Sequence, residues 1–285
     1  MSFRRAPFLS TYYILLLAAL YAPIAILFLF SLNNGVIFAF PLKGLTTHWY
    51  IDMLGNQELL DALWNSVVVA MSSSLAAVAL GTFAAIGLAR FEIKGKALFV
   101  AAALMPLLVP FIIIGVALLI LFAGLHIERS LLTVAIAHTV VSLPYTLLVI
   151  MSRMAGFDKH LEEAAQDLGA TYGYTLRRVI IPMIGSAILA AWLVAFTVSF
   201  DEFVLASFLI GGSPTLPIYL FGQLRFAKRF PQVVALAMVV MVVSIGLVLL
   251  AEWLQRRGAE TIRNQPVVQE DDALEAAPAA SLSGG

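Results

Sequence analysis

The sequence predicts an all-α membrane protein with six transmembrane helices. Of its 285 residues, 61% are hydrophobic and only 12% are charged, whereas charged residues make up about a quarter of a soluble domain. Six apolar segments are long enough to cross about 30 Å of hydrocarbon as helices, which rise about 1.5 Å per residue. The Lys and Arg residues concentrate in alternate loops, a pattern that sets orientation in a membrane.

The six predicted spans are residues 12–31, 63–89, 97–125, 131–152, 183–209 and 233–254. Two arginines precede the first span, as in a signal peptide, but no small-residue cleavage site follows its long apolar run, so we predict an uncleaved anchor. Pro106 and Pro110 should break the third helix, and Pro144 should interrupt the fourth, because each proline removes a backbone hydrogen bond that lipid cannot replace. Such helices either line a pathway or carry ordinary packed kinks.

The distribution of positive charge predicts that both termini are cytoplasmic. With the N-terminus inside, the inner segments hold Arg4, Arg5, Arg90, Lys94, Lys96, Arg153, Lys159, Arg177, Arg178, Arg256, Arg257 and Arg263. The outer segments hold only Lys43, Arg129, Arg225, Lys228 and Arg229. The bias therefore favours one orientation clearly.

The predicted soluble parts are short. Residues 1–11 are the predicted cytoplasmic N-terminus, and they precede a predicted transmembrane domain at residues 12–257. An outer connection at 33–65 carries aromatic residues typical of a membrane-interface belt. Residues 258–285 have low hydrophobicity and an acidic run, which predicts a disordered cytoplasmic tail.

A polar loop at residues 153–182 lies on the predicted cytoplasmic side, between the fourth and fifth spans. It reads as two short helices, the first capped by Asp158 and ended by Gly169, which suits a left-handed conformation. Thr171 can cap the second helix, which should stop before Pro182. One compact face of the first helix is formed by Leu161, Ala164, Ala165 and Leu168. Such a face suits a partner's groove, although a solvated helix lying on the membrane is the alternative.

The spacing in this loop resembles the EAA loop of ABC-importer permeases, written EAA-x3-G-x9-I-x-LP. Glu163-Ala164-Ala165 is followed after three residues by Gly169, and after nine more by Val179-Ile180-Ile181-Pro182. The resemblance implies the type I importer permease fold, with a loop that inserts into a cleft of an ATP-hydrolysing subunit. The coupling residues that it implies are Glu163, Ala164, Ala165, Gly169 and Pro182.

The chain shows no energy source of its own. It lacks the G-x-x-x-x-G-K-[ST] phosphate loop, and without cysteine it has neither thiolate chemistry nor Cys-ligated metals. We therefore expect no enzyme activity and no cofactor here, with ATP and magnesium bound by a partner. The resemblance implies two ATPase copies, a sister permease and a periplasmic solute-binding protein, in a bacterial inner membrane. We expect no nucleic-acid partner.

His138 is one of few ionisable residues inside the spans, where burial of a charge costs about 2.5–3.5 kcal/mol. A neighbouring carbonyl satisfies many such histidines. An intramembrane hydrolase is one alternative of a different class, in which His138 would act with Ser72, Ser73 or Ser74. An ATPase-independent channel or secondary carrier is another.

Asp201 and Glu202 form an acidic pair about 28 Å of helix beyond Pro182, which predicts an outer mouth rather than the midplane. An aromatic stripe at helical spacing precedes and flanks the pair: Trp192, Phe196, Phe200 and Phe203. Carboxylates beside aromatic faces suit an organic ammonium, through charge pairing and cation–π attraction. The candidate pathway residues are therefore Asp201, Glu202, Trp192 and Phe200, with packing and solvation as their alternative roles.

Residues 199–225, with 137–145 upstream, resemble the smaller permease of spermidine/putrescine ABC importers, and the likeness extends over about residues 8–257. This resemblance implies a polyamine as cargo and adds support for Asp201 and Glu202 as pathway residues. An opine, an amino-acid-like compound or another small solute remains the alternative cargo.

Overall fold

The computed structural model describes residues 7–156, 159–226 and 228–263, with side chains from Thr11 to Gly246. Within these ranges every regular element is helical, and the isolated bridge between Asn33 and Leu45 is the one extended pairing. The chain divides into two compact units. One unit contains the described residues up to Ser31 and those from Val234 onward. The other unit contains Leu32–Val233.

The helices are α1 Pro7–Ser31, α2 His48–Leu54, α3 Gln57–Arg90, α4 Lys96–Leu104, α5 Phe111–Gly124, α6 Leu131–Ala155, α7 His160–Asp167, α8 Tyr172–Thr175, α9 Ile181–Met183, α10 Gly185–Phe200, α11 Val204–Leu209, α12 Leu216–Gln223 and α13 Phe230–Arg263. A 3₁₀ turn, Met105–Leu107, follows α4, and a π-helical segment, Leu176–Ile180, joins α8 to α9.

The predicted spans correspond to these helices with two bends. In the described part of the chain, three helices are long and apolar enough to cross a membrane, or five if each of two bent pairs is one span. The third predicted span bends by 103° between Leu107 and Phe111, as its two prolines predict. The chain bends by 66° between Met183 and Gly185, where the fifth predicted span begins. That span is not one helix, because α10 ends at Phe200 and α11 begins at Val204. The sixth lies in α13, and its side chains beyond Gly246 are outside the described residues.

Two proline predictions are wrong. The fourth span is one helix, α6, that continues through Pro144; the ring is buried among neighbouring residues, the setting in which membrane helices tolerate proline. The loop helix does not stop before Pro182 but runs on to Met183. Its π-helical turn lies immediately before the proline, where the missing N–H already disturbs regular α-helical bonding.

Three other predictions concern residues that lie outside the described ranges. These residues are the proposed cap Asp158, residues 1–6 of the predicted N-terminus and residues 264–285 of the predicted tail. The structure continues α13 to Arg263, so the predicted tail boundary at Gly258 falls inside a helix.

The larger unit is built around α3, α6 and α10, which pack on one another. Asn56 caps α3 by accepting a hydrogen bond from the Leu59 amide, and Ser130 caps α6 in a capping box with Thr133. One apolar core lies towards the C-terminal end of α3, near Arg90. It is formed by Val78, Ala85, Ile86, Leu88, Leu147, Ile150, Met154, Ile180, Ile184 and Ala191. A second core, formed by Val69, Phe122, Val134, Ala137, Val141, Leu205, Ala206 and Leu209, places α11 against α6.

Candidate functional site

The loop predicted to dock a partner folds as two short helices joined by a glycine. Gly169 has φ +86°, the left-handed conformation that ends a helix most readily when no Cβ is present. The Thr171 side chain accepts a hydrogen bond from the Tyr174 amide and caps α8. Both local predictions are therefore confirmed.

The face of α7 predicted for docking is largely exposed. Leu168 is 90% exposed and Leu161 is 44% exposed, and Glu163 and Ala164 are exposed as well. The Glu163 carboxylate lies 3.2 Å from Nδ1 of His160, one helical turn earlier. The exposed part of the loop therefore offers the apolar side chains of Leu161 and Leu168 together with the Glu163 carboxylate.

A buried ion pair joins this loop to the longest helix of the larger unit. Glu162 on α7 contacts the Arg90 guanidinium at the end of α3, and both side chains are only 8% exposed. Glu162 lies in the first turn of α7 and is not one of the residues that the importer motif singles out. No local pattern identifies Arg90, because the two residues meet only through the packing of α3 against the loop.

A second polar cluster lies inside the helix bundle and joins α3, α6 and α10. The Ser73 hydroxyl donates to the Ser199 hydroxyl at 2.8 Å, and Ser199 Oγ lies 2.8 Å from Nδ1 of His138. His138 Nε2 lies 3.2 Å from Oε2 of Glu202. The neighbours of the His138 ring nitrogens are therefore a hydroxyl and a carboxylate, rather than the backbone carbonyl that the sequence suggested.

Glu202 completes the cluster by capping α11. Its Oε1 accepts a hydrogen bond from the Leu205 amide at 3.0 Å, and its Oε2 accepts one from the Ala206 amide at 3.1 Å. A carboxylate at a helix N-terminus satisfies free amide groups and complements the helix dipole. Glu202 is only 6% exposed, so within this chain it is enclosed rather than open to a cargo.

Asp201, in contrast, is exposed at the C-terminal end of α10. It shares the exposed side of this helix, here called the α10 face, with Ser186, Leu189, Val194 and Thr197. These five residues recur at helical spacing. The α10 face therefore combines a carboxylate and two hydroxyl groups with two apolar side chains.

The predicted aromatic stripe holds over three of its four residues. The rings of Trp192 and Phe196 have centroids 5.8 Å apart, and Phe196 stacks on Phe200 at the same distance. Phe203 leaves the stripe and packs on Phe221 instead, because α10 ends at Phe200. Trp192 also packs against the apolar core that contains Ile184.

The chain Ser199–His138–Glu202 has the connectivity of a hydrolase triad, but not its accessibility. Ser199 is 3% exposed and His138 is 1% exposed, and the Ser199 hydroxyl accepts a hydrogen bond from the Ser73 hydroxyl. A nucleophile needs room for a substrate carbonyl and donors for the oxyanion. The arrangement is suited to fixing four chain segments together. Among the described residues, no group of three or more His, Asp or Glu side chains is placed to hold a metal ion.

Comparison with known families agrees with the sequence motif. Residues 77–259 match the family model described as "Binding-protein-dependent transport system inner membrane component". The putrescine transport system permease protein PotI of Escherichia coli K12 is 35% identical over 91% of this chain and 94% of its own length. The spermidine/putrescine transport system permease protein PotC of the same organism is 33% identical over 84% of this chain and 90% of its own length.

A solved structure shows the same fold. A chain in the crystal structure of a bacterial alginate ABC transporter, in complex with an alginate pentasaccharide-bound periplasmic protein, superposes with a TM-score of 0.68. The match covers 88% of this chain and 93% of that chain at 16% sequence identity. The predicted importer-permease fold is confirmed, and a likeness at this identity carries no information on cargo.

Proposed function

This chain belongs to the family of binding-protein-dependent transport system inner membrane components, and we propose that it carries a polyamine or a similarly small organic cation. It is an inner-membrane permease subunit of an ABC importer rather than an enzyme. The proposal concerns what passes through it, which partners act with it and which of its residues take part.

The observation that supports a cationic cargo is the position of Asp201 on the α10 face. An exposed carboxylate can pair with an ammonium group, whereas the buried Glu202 has both oxygens engaged within the chain. Phe200 precedes Asp201 and stacks on Phe196, so aromatic rings lie on the adjoining side of α10. Charge pairing and cation–π attraction together suit an alkylammonium cargo. The identity to PotI and PotC, which are named for putrescine and spermidine, supports the same class.

For the partners, we propose a sister permease that completes the pathway, a periplasmic solute-binding protein that delivers the cargo, and two ATPase copies that bind ATP and magnesium. The exposed α10 face suits the boundary with the sister permease. The docking surface for the ATPase is the exposed side of α7, with Glu163, Ala164 and Ala165, and with Gly169 ending the helix.

The experiment is ATP hydrolysis by the reconstituted complex with its loaded binding protein. Putrescine, spermidine, neutral amino acids and an opine are supplied in turn, first to the native complex and then to Asp201→Asn. The matched control is Asp61→Asn, which removes an exposed carboxylate from the outer part of α3. Glu163→Arg tests the docking surface by the binding of the ATPase to the permease.

We expect polyamines to stimulate hydrolysis in the native complex and in the Asp61 variant, and stimulation to fall about tenfold or more in Asp201→Asn. We expect Glu163→Arg to weaken ATPase binding, whichever solute is present. Stimulation by an opine or an amino acid alone, unaffected by Asp201→Asn, would overturn the cationic cargo. Uptake into vesicles that lack the ATPase would favour a stand-alone carrier.

A further inference from the structure

We propose that Arg90 and Glu162 are positioning residues that fix the docking helix α7 to α3, so that movement of α7 reaches the buried Ser73–Ser199–His138–Glu202 cluster. This inference rests on the proposed docking role of α7. It adds two residues that the importer motif does not contain, and it gives them a mechanical task.

The two adjacent glutamates of α7 face opposite environments. Glu163 is exposed, while the Glu162 side chain is 8% exposed and contacts Arg90. Consecutive residues on a helix point about 100° apart, so α7 can present Glu163 to a partner while Glu162 holds the helix from the other side. The loop thus has an outward face for docking and an inward face for attachment.

The Arg90–Glu162 pair joins α7 directly to α3, and the rest of the loop reaches α3 through Leu176 and Ile180 of the π-helical segment, which pack in the core that contains Leu88. Otherwise α7 packs on α8 and on the π-helical segment of the same loop. A ring contact at this junction joins Phe91, next to Arg90, to Tyr172 on α8, with centroids 6.0 Å apart. Phe91 is 55% exposed and Tyr172 is 40% exposed, so this contact is weaker than the buried ion pair.

On the other side of the pair, α3 is one continuous helix that packs on both α6 and α10. Ser73 lies seventeen residues before Arg90 on this helix, which corresponds to about 25 Å at 1.5 Å per residue. Because Ser73 donates to Ser199, which contacts His138, α3 forms a continuous physical connection between the loop and the cluster. Packed side chains and rigid helices connected in this way can carry energetic coupling between distant sites.

An ion pair suits this task better than an apolar contact would. Removal of one partner leaves a buried charge uncompensated, so the geometry is specified strongly even where the net contribution to stability is small. The guanidinium and the Glu162 carboxylate are in close contact away from solvent, so displacement of Glu162 is expected to carry Arg90 with it.

The test uses the complete reconstituted complex, with cysteine-free partners. The chain itself has no cysteine, so Arg90→Cys/Glu162→Cys introduces the only thiols. A short bifunctional thiol reagent that forms disulfides joins the two positions, and a reductant releases them. Three quantities are measured: ATPase binding to the permease, basal ATP hydrolysis, and the stimulation of hydrolysis by the loaded binding protein. The same measurements are made on Arg90→Gln, on Glu162→Gln and on the charge swap Arg90→Glu/Glu162→Arg. Lys94→Gln, an exposed residue of the same inner turn, is the control.

We expect the unlinked double-cysteine variant to bind the ATPase and keep basal hydrolysis, while stimulation falls about tenfold. Cross-linking restores stimulation, and reduction of the same sample removes it again. The charge swap recovers more stimulation than either single variant. A merely structural pair would give stimulation that does not follow the cross-link, and this would overturn the proposal.

If the double-cysteine variant is misfolded, it loses ATPase binding and thermal stability, and the cross-link does not restore them. This outcome also counts against a mechanical role for the pair. If the proposed docking itself is wrong, Glu163→Arg in the otherwise native chain leaves ATPase binding unchanged. The two failures are therefore distinguishable.

Discussion

Gly81 on α3 faces the Thr146 side chain on α6 so closely that a Cβ added at Gly81 would lie 3.0 Å from the Thr146 Cβ and 3.2 Å from the Leu147 amide nitrogen. The two helices approach here because glycine has no side chain, as is common where membrane helices pack tightly. We expect Gly81→Ala to force α3 and α6 apart and to lower stability by about 1–3 kcal/mol. Thermal unfolding in detergent measures the effect.

Gly87→Ala is the matched control for this prediction. Gly87 lies on the same helix, and a Cβ there would meet nothing within 4 Å. We expect that substitution to be neutral or to stabilise the helix by up to about 1 kcal/mol, since alanine has the higher helix propensity. Equal midpoints for the two variants would show that the approach of α3 to α6 does not require glycine.

Ser199→Ala should destabilise the protein through two lost interactions. The variant removes the acceptor of the Ser73 hydroxyl and the partner of His138 Nδ1, both buried. Leaving buried polar groups unsatisfied costs about 1–3 kcal/mol, so the unfolding midpoint should fall. Ser207→Ala, at an exposed hydroxyl that bonds only within its own helix, should stay within about 0.5 kcal/mol of the native protein.

Glu202→Ala should be the more damaging of two substitutions at one position. It leaves His138 and two amide groups of α11 without their carboxylate, and breaking a buried pair costs about 3–5 kcal/mol. Glu202→Gln retains one acceptor oxygen and should lose less. If both variants unfold at the native midpoint, Glu202 does not hold α11 in place. The control is Asp201→Asn, which changes an exposed carboxylate and should leave the unfolding midpoint unchanged.

Gly169→Ala should weaken the binding of the ATPase, because φ +86° is unfavourable for any residue with a Cβ. The strain is about 1–2 kcal/mol, equivalent to roughly a 5- to 30-fold loss of affinity if the loop must keep its bound shape. Titration of the ATPase onto the reconstituted permease measures it. Gly173→Ala, at a helical site with open space around it, should bind as the native protein does; equal loss in both variants would contradict the explanation.

The sequence predicted those features that depend on neighbours along the chain. Runs of apolar residues located the membrane helices, Pro106 and Pro110 located the bend of the third span, and Gly169 and Thr171 marked the ends of two loop helices. Each of these features is determined by residues within one or two helical turns of one another, so one sequence is enough to predict it.

The features that were missed depend on packing between distant segments. Nothing near Glu162 in the sequence indicates Arg90, and nothing near Glu202 indicates His138. Pro144 looked like an interruption because sequence alone does not show the neighbours that enclose it. Asp201 and Glu202 are adjacent in sequence, yet the end of α10 between Phe200 and Val204 sends one outward and the other into the bundle.

The exposed face of α10 has a consequence for biogenesis. A carboxylate exposed to acyl chains carries an insertion penalty of about 2.5–3.5 kcal/mol at full depth and less near the interface. A sister subunit that covers the α10 face would remove any such penalty at Asp201, which would link stable insertion of this chain to its assembly.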